Sequence, residues 1–287
     1  MPLDSIAEIL ASCSERNLAF WQVVLEADVE ERQVSAEASF EKMRATWRAM
    51  LDSAESYDGG LRSVSGLSGG DGELMLRYAA GGAALGGGYI SEVIATALCV
   101  GESNACMRKI VAAPTAGACG VLPAVLVPLY RRGEREEDIL RALYTAAGIG
   151  AVINSRASIS GAAGGCQAEI GSASAMAAGA LAQLRGGGLE QTANALAMAL
   201  KNLMGLICDP VAGLVEVPCV KRNVIGAVNA VSCADMALAG ITSRIPADEV
   251  IDCMGIVGER LPREFRETAR GGLAATPTGR AAWKQLK

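Results

Sequence analysis

The chain of 287 residues contains no histidine. Within this polypeptide that excludes a Ser-His-Asp triad, an HExxH zinc site and an imidazole general base. A reaction that needs an imidazole must receive it from another chain. Aromatic residues are also scarce, at 4%, although 51% of the chain is hydrophobic. Core volume must then come from Ala, Leu, Val, Ile and Met, whose smaller members let helices approach closely. Long runs of one charge are missing, and the formal net charge is −5. With no basic patch or arm, no nucleic-acid partner is expected. The start, MPLDSIAEILASCSERN, lacks the basic n-region and apolar core of a secretion signal. The expected compartment is therefore the cytoplasm. There, nine cysteines read as buried, metal-bound or catalytic rather than disulfide-paired.

One uncharged run, 110–130, is long enough to span a bilayer. Pro114, Pro123 and Pro128 would break a lone lipid-exposed helix there. The run reads as a buried loop followed by a helix, and no membrane partner is expected.

What the chain has in abundance is helical periodicity. Residues 3–56 hold no glycine or proline and repeat apolar positions at helical spacing, which predicts a helical hairpin packed on the body or on a partner. Further helices are expected over 89–109, 134–153, 170–184, 189–207, 227–241 and 246–261, with an apolar helix ending at Tyr130. No stretch alternates as a half-buried strand. The fold class is mainly α, with an N-terminal helical extension over 1–60 ahead of a helical domain over 61–287 that carries Gly-rich loops.

Those loops hold the polar chemistry. SGLSGGDGE, 65–73, sets Ser68 and Asp71 among glycines whose successive N–H groups can form an anion-binding concavity. It has neither the GxxxxGK[ST] nor the GxGxxG pattern, which argues against a nucleotide loop. APTAGACG, 113–120, offers Thr115 and Cys119. Cys166 follows Gly164-Gly165, Cys208 precedes Asp209-Pro210, and Cys219 follows Pro218, so each sits where regular helix is interrupted. Three loop thiolates are one ligand short of the four that an electron-carrying iron–sulfur cluster normally uses. They would leave one iron open as a Lewis acid. Lys221 and Arg222, close behind Cys219, would favour thiolate over thiol. Spacing alone also admits three cysteines that simply pack in a small-residue core. Cys13 is read as structural and Cys99, Cys106, Cys119, Cys233 and Cys253 as packed small hydrophobes, with Cys119 set apart by its place in the PTAGACG loop.

The stretches SGLSGGDGE (65–73), ESNACMRKIVAAPTAGACGVLP (102–123), SRASISGAAGGCQAEIGSASAMAAGAL (155–181), KNLMGLICDPVAGLVEVPCVKRN (201–223), ADMALAGITSRIP (234–246) and GGLAATPTGR (271–280) are collinear. Together they resemble the α subunit of bacterial iron–sulfur-dependent L-serine dehydratase. That resemblance implies a pyridoxal-phosphate-independent lyase converting L-serine to pyruvate and ammonia. It also implies an oxygen-labile [4Fe–4S] cluster held by Cys166, Cys208 and Cys219, and a serine dehydratase β subunit as partner. Ser68 and Asp71 would then hold substrate charges, and Thr115 and Asn223 would orient its hydroxyl or line the pocket. The general base would come from the β subunit, whose family pattern carries a histidine. Two departures stand out. Arg108 occupies a place where the family commonly has a small residue, and no cysteine follows Cys253, so capping of the cluster by a C-terminal cysteine is not expected. Two other readings remain open: a related iron–sulfur lyase acting on L-cysteine or another β-substituted amino acid, and a non-catalytic zinc or thiol scaffold.

Overall fold

Ser5 and Ser35 each start a helix in the same way. Their hydroxyls accept the Glu8 and Ala38 amides, satisfying donors that the first turn leaves open. The computed structural model describes residues 4–286. Its N-terminal part is three helices, α1 (Ile6–Arg16), α2 (Phe20–Arg32) and α3 (Ala36–Glu55), not the two of a hairpin. The breaks fall at Asn17 and Gln33, both left-handed with φ 53° and 54°. Neither is glycine or proline, so composition gave no warning of these ends. Leu3 lies outside the described residues.

These helices share one core with the rest. Phe20, Val24 and Trp47 are buried in the same cluster as Ile139, Ile149 and Leu196. The amides of Ile6 and Ala7 donate to the Asp248 carboxylate, joining the α1 N-terminus to a helix more than two hundred residues on.

The body follows as α4 (Asp71–Ala80), α5 (Gly87–Ala105), α6 (Val121–Arg131), α7 (Glu136–Arg156), the single turn α8 (Gly161–Gly164), α9 (Ser172–Leu184), α10 (Leu189–Asn202), α11 (Cys219–Leu238), α12 (Ala247–Arg260) and α13 (Pro277–Gln285). No strand occurs among the described residues, and one isolated bridge pairs Cys208 with Arg266. The fold is mainly α. None of its described helices is long and apolar enough to cross a membrane.

The central element is α9, SASAMAAGALAQL, buried from Ser172 through Ala182. Helices α6, α7, α10 and α11 surround it. Its small residues set the spacing. A Cβ on Gly179 would lie 2.3 Å from Ile149 Cδ1. On Gly226 of α11 it would lie 2.9 Å from Ile170. The neighbouring helices are therefore closer to α9 than any larger side chain would permit.

Several boundaries differ from the sequence expectation. Helix α4 forms within a segment read as loop, because Glu102 caps its N-terminus from across the fold. Helix α13 occupies what was read as loop and tail; Thr276 caps it and Pro277 pre-sets its first turn. Helix α10 stops at Asn202, well before Pro210. Helix α11 begins at Cys219 rather than Ala227, so that cysteine opens a helix instead of lying in a loop.

Candidate active site

Three interruptions of helix bring the cysteines together. Cys166 leads into a π-helical turn, Gln167–Gly171, immediately before α9. Such i→i+5 turns re-aim side chains inside helices and recur at functional sites. Gly165 supplies the entry, with φ +77° and no room for a Cβ, which would lie 2.6 Å from Leu261. Cys208 is held extended by backbone bonds on both sides: its amide donates to the Phe265 carbonyl at 2.8 Å, and the Glu267 amide donates to its carbonyl at 2.9 Å. Cys219 is the first residue of α11. All three are buried, and none is in a disulfide.

The loops are tied to one another by side chains. Gln167 accepts the Gly205 amide at 2.8 Å and donates to the Met254 carbonyl at 3.1 Å. Arg222 donates to the Ile207 carbonyl and to Asp209 Oδ1, both at 2.8 Å, and bears on the Cys166 sulfur. Asp209 Oδ2 in turn accepts the Leu273 amide at 2.8 Å. One guanidinium thus links the Cys166 turn, the Cys208 loop and the 271–273 segment.

Burial dominates the thiols. It pushes Cys166 up to about 11, with the Arg222 charge opposing, and Cys219 up to about 12, with Cys166 and Glu169 adding to the rise. Cys208 is raised by burial first, then by Cys166, Glu169 and Cys219. The expectation that Lys221 and Arg222 favour thiolate is corrected. Lys221 is exposed and pairs with Asp71, while Arg222 is outweighed by desolvation. Burial raises Cys99, Cys119 and Cys233 in the same way, so what sets these three apart is that they act on one another through space, with Arg222 and Glu169 beside them. Iron would deprotonate the three thiols on binding.

Glu169 is the functional candidate that the sequence reading missed. It lies on the π-helical turn, and its Oε1 accepts the Thr115 hydroxyl at 2.7 Å. Its Oε2 lies 3.9 Å from Cys208 Sγ. Burial raises its carboxyl above the usual carboxylate range, against the opposing bond from Thr115. The signal in the sequence was the CQAE spacing: an acid three residues after a cysteine that follows two glycines. In a regular helix the two side chains would share a face. Arg266 was missed as well. Its backbone pairs beside Cys208, and its buried Nε has no acceptor.

Of the polar residues singled out from sequence, Thr115 reaches the site through Glu169. Asn223 is buried and fully engaged: Oδ1 accepts the Gly120 amide at 2.8 Å, and Nδ2 donates to the Gly117 and Cys219 carbonyls at 2.9 and 3.0 Å. It fixes the 115–120 loop against the turn of Cys219. Ser68 lies in the adjoining loop, and Asp71 is the first residue of α4 behind it. That loop is tied down by Glu216, whose Oε2 accepts the Ser63 and Ser65 hydroxyls at 2.6 and 2.5 Å. Glu102 accepts the Asp71 and Gly72 amides at 2.9 and 3.1 Å, so part of the expected anion-binding backbone already faces an internal carboxylate. Asp71 Oδ2 receives Lys221 Nζ at 2.7 Å, near Cys219 in sequence.

The other cysteines divide. Cys119 is buried and turns its thiol toward the Val100 carbonyl at 3.9 Å, so it packs against α5. Cys13, Cys99 and Cys233 are also buried. Cys253 is exposed and Cys106 half-buried, which corrects their reading as packed hydrophobes. Arg108 is exposed.

Among the described residues, no three His, Cys, Asp or Glu groups close up around a single-ion position. A four-iron cluster is wider than one ion and takes one cysteine at each of several corners. The donor set, three soft thiols beside the largely buried Arg222 guanidinium, fits such a cluster in chemical type.

The family model for the serine dehydratase alpha chain matches residues 15–274. The chain belongs to the serine dehydratase alpha chain family. It is 46% identical to a probable L-serine dehydratase alpha chain of Bacillus subtilis, over 98% of this chain and 94% of that one. It is 40% identical to the L-serine dehydratase alpha chain of Peptoniphilus asaccharolyticus, over 96% of each. The L-serine dehydratase TdcG of Escherichia coli is 48% identical over 62% of this chain, which spans 40% of that longer protein. The matched residues include the turn of Cys166, the Cys208 loop and the start of α11.

Proposed function

We propose that this chain is the α component of an L-serine ammonia-lyase that forms pyruvate and ammonia. The observation that carries the proposal is the convergence of Cys166, Cys208 and Cys219 from three separate breaks in helix, beside Arg222 and Glu169. These cysteines would hold a [4Fe–4S] cluster. When bound, the cluster supplies an iron free of protein thiolate that makes the substrate hydroxyl a better leaving group.

The chain's own residues do the rest. Arg222 offsets negative charge at Cys166 and holds the three loops in register. Arg266, whose buried Nε has no partner, would be a candidate to take a substrate carboxylate. Thr115 fixes the Glu169 carboxylate, and Asn223 fixes the loop that carries Thr115. Ser68 lies in the neighbouring loop and Asp71 opens α4, where a substrate ammonium would have to compete with Lys221 for the Asp71 carboxylate. The chain has no imidazole, so the base that removes the α-proton is assigned to a β subunit.

A docking face for such a partner adjoins the site. A cavity of ≈ 600 Å³ is lined by Val64, Met107, Leu214, Val215, Trp283 and Leu286, and it also touches Ala116 and Glu216. Val64 and Met107 are 90% and 83% exposed, which is unusual for apolar side chains beside a catalytic loop. The cytoplasm suits free thiols and a cluster of this kind.

The test is turnover by the anaerobically reconstituted α chain together with its β partner, on serine, threonine and cysteine. Release of pyruvate from serine with the highest kcat/KM is expected. Equal or better turnover of cysteine would move the assignment to the related lyase, and no turnover of any of the three by a fully loaded complex would overturn it.

A further inference from the structure

Glu169 stands out electrostatically. Its charge acts on all three thiols, and it forms no ion pair among the described residues. The Thr115 hydroxyl at 2.7 Å is its one strong hydrogen-bond partner, through Oε1. Oε2 is left with only the weak contact to the Cys208 sulfur at 3.9 Å. A partly buried carboxylate without a cation is costly to maintain.

The surroundings are shaped to admit it. A Cβ on Gly161 would lie 2.6 Å from Glu169 Oε2 and 3.0 Å from Cys208 Sγ. A Cβ on Gly117 would lie 3.2 Å from Oε1. Two separate loops therefore present glycine where any side chain would press on this carboxylate. The π-helical turn places Glu169 on the same short element as Cys166. The remaining buried cysteines of the body lie elsewhere: Cys119 turns toward α5, Cys233 toward Asn229, and Cys99 packs against Gly72 of α4. Beyond the three thiols, Glu169 is a protein donor beside them, with Oε2 3.9 Å from Cys208 Sγ and its charge acting on Cys166 and Cys219.

We propose that Glu169 is the resting fourth ligand of the cluster, occupying through Oε2 the iron that the three cysteines leave uncovered. This rests on the cluster reading above. The exchange would involve no redox change: a substrate oxygen would take the position on iron that the Glu169 oxygen gives up. Thr115, holding Oε1, would keep the displaced carboxylate close enough to return when product leaves. Such a cap protects an iron that is otherwise easily lost, and it makes loss of that iron depend on Glu169.

The experiment compares wild type with Glu169→Gln and Glu169→Ala, each reconstituted anaerobically with iron and sulfide and matched for iron content. Ferricyanide removes one electron, and the ferrous iron released is captured by a chelator while the three-iron EPR signal is followed. Release should be at least about ten-fold faster in both variants, and added serine should narrow the gap. Equal rates at equal loading would overturn the proposal. A second measurement uses wild type alone, so that a poorly loading variant does not decide the matter. In chain labelled with 13C-carboxylate glutamate, the reduced cluster should show a hyperfine-coupled 13C nucleus that disappears on adding serine. No coupled carboxylate in serine-free protein would overturn the proposal while leaving the cluster reading intact. Failure of wild type to load iron and sulfide at all would overturn the cluster reading, and the proposal with it.

Discussion

Arg222 Nη2 donates to Asp209 Oδ1 at 2.8 Å, and the two side chains are only 12% and 3% exposed. Because Asp209 also holds the Leu273 amide and Arg222 also holds the Ile207 carbonyl, this pair joins three loops that no helix connects. Removing one partner strands the other in a buried position. Arg222→Leu should destabilise the chain by about 3–5 kcal/mol and abolish metal loading, whereas Arg222→Lys should retain part of both. Urea unfolding of the metal-free chain, with iron content after reconstitution, measures the two effects separately.

Asn223 uses its whole carboxamide on backbone: the Gly120 amide and the Gly117 and Cys219 carbonyls. Asn223→Ala should cost about 1–3 kcal/mol for each buried partner left unsatisfied, so the loss in unfolding free energy should exceed that of a typical surface change. Asn223→Asp keeps the acceptor to Gly120 but turns an acceptor toward two carbonyls, and should be at least as damaging. Chemical denaturation of the two variants checks both expectations.

Gly161 separates stability from metal binding. Its backbone is not left-handed, so alanine is tolerated by the chain itself, and its added methyl would meet the Glu169 and Cys208 side chains. Gly161→Ala should melt within about 1 kcal/mol of wild type yet retain less iron after anaerobic reconstitution. Normal iron retention would show that the space between Glu169 and Cys208 is not needed for the metal. A large loss of stability would show that the methyl is paid for by the fold instead.

Much of this site was legible in the residue order because its architecture depends on interruptions of helix. Glycine pairs and prolines announce such breaks, and they marked Cys166, Cys208 and Cys219. Apolar periodicity similarly revealed the long helices of the body. What stayed hidden depends on contacts between residues far apart in sequence. Helix α4 needs Glu102 to cap it, and Asn17 ends α1 by adopting a left-handed conformation that nothing in composition demands. Glu169 falls one residue before the helix expected over 170–184, and nothing in the residue order assigned it a role. Its place among the thiols follows from a π-helical turn, which sequence periodicity cannot distinguish from α-helix. The thiol ionisation was misjudged for a related reason. Lys221 and Arg222 are near Cys219 in sequence, but only burial depth decides whether their charge outweighs desolvation.

The central claim is that Cys166, Cys208 and Cys219 together hold one four-iron cluster. Iron and acid-labile sulfide per chain, measured after anaerobic reconstitution, test it most directly in wild type and in single Cys→Ser variants. Wild type should hold about four of each per chain. Substitution at Cys166, Cys208 or Cys219 should abolish or sharply reduce the content, while Cys119→Ser and Cys233→Ser should leave it near wild type. Retention of a full complement by any of the first three variants, or stoichiometric zinc with no labile sulfide in wild type, would contradict it.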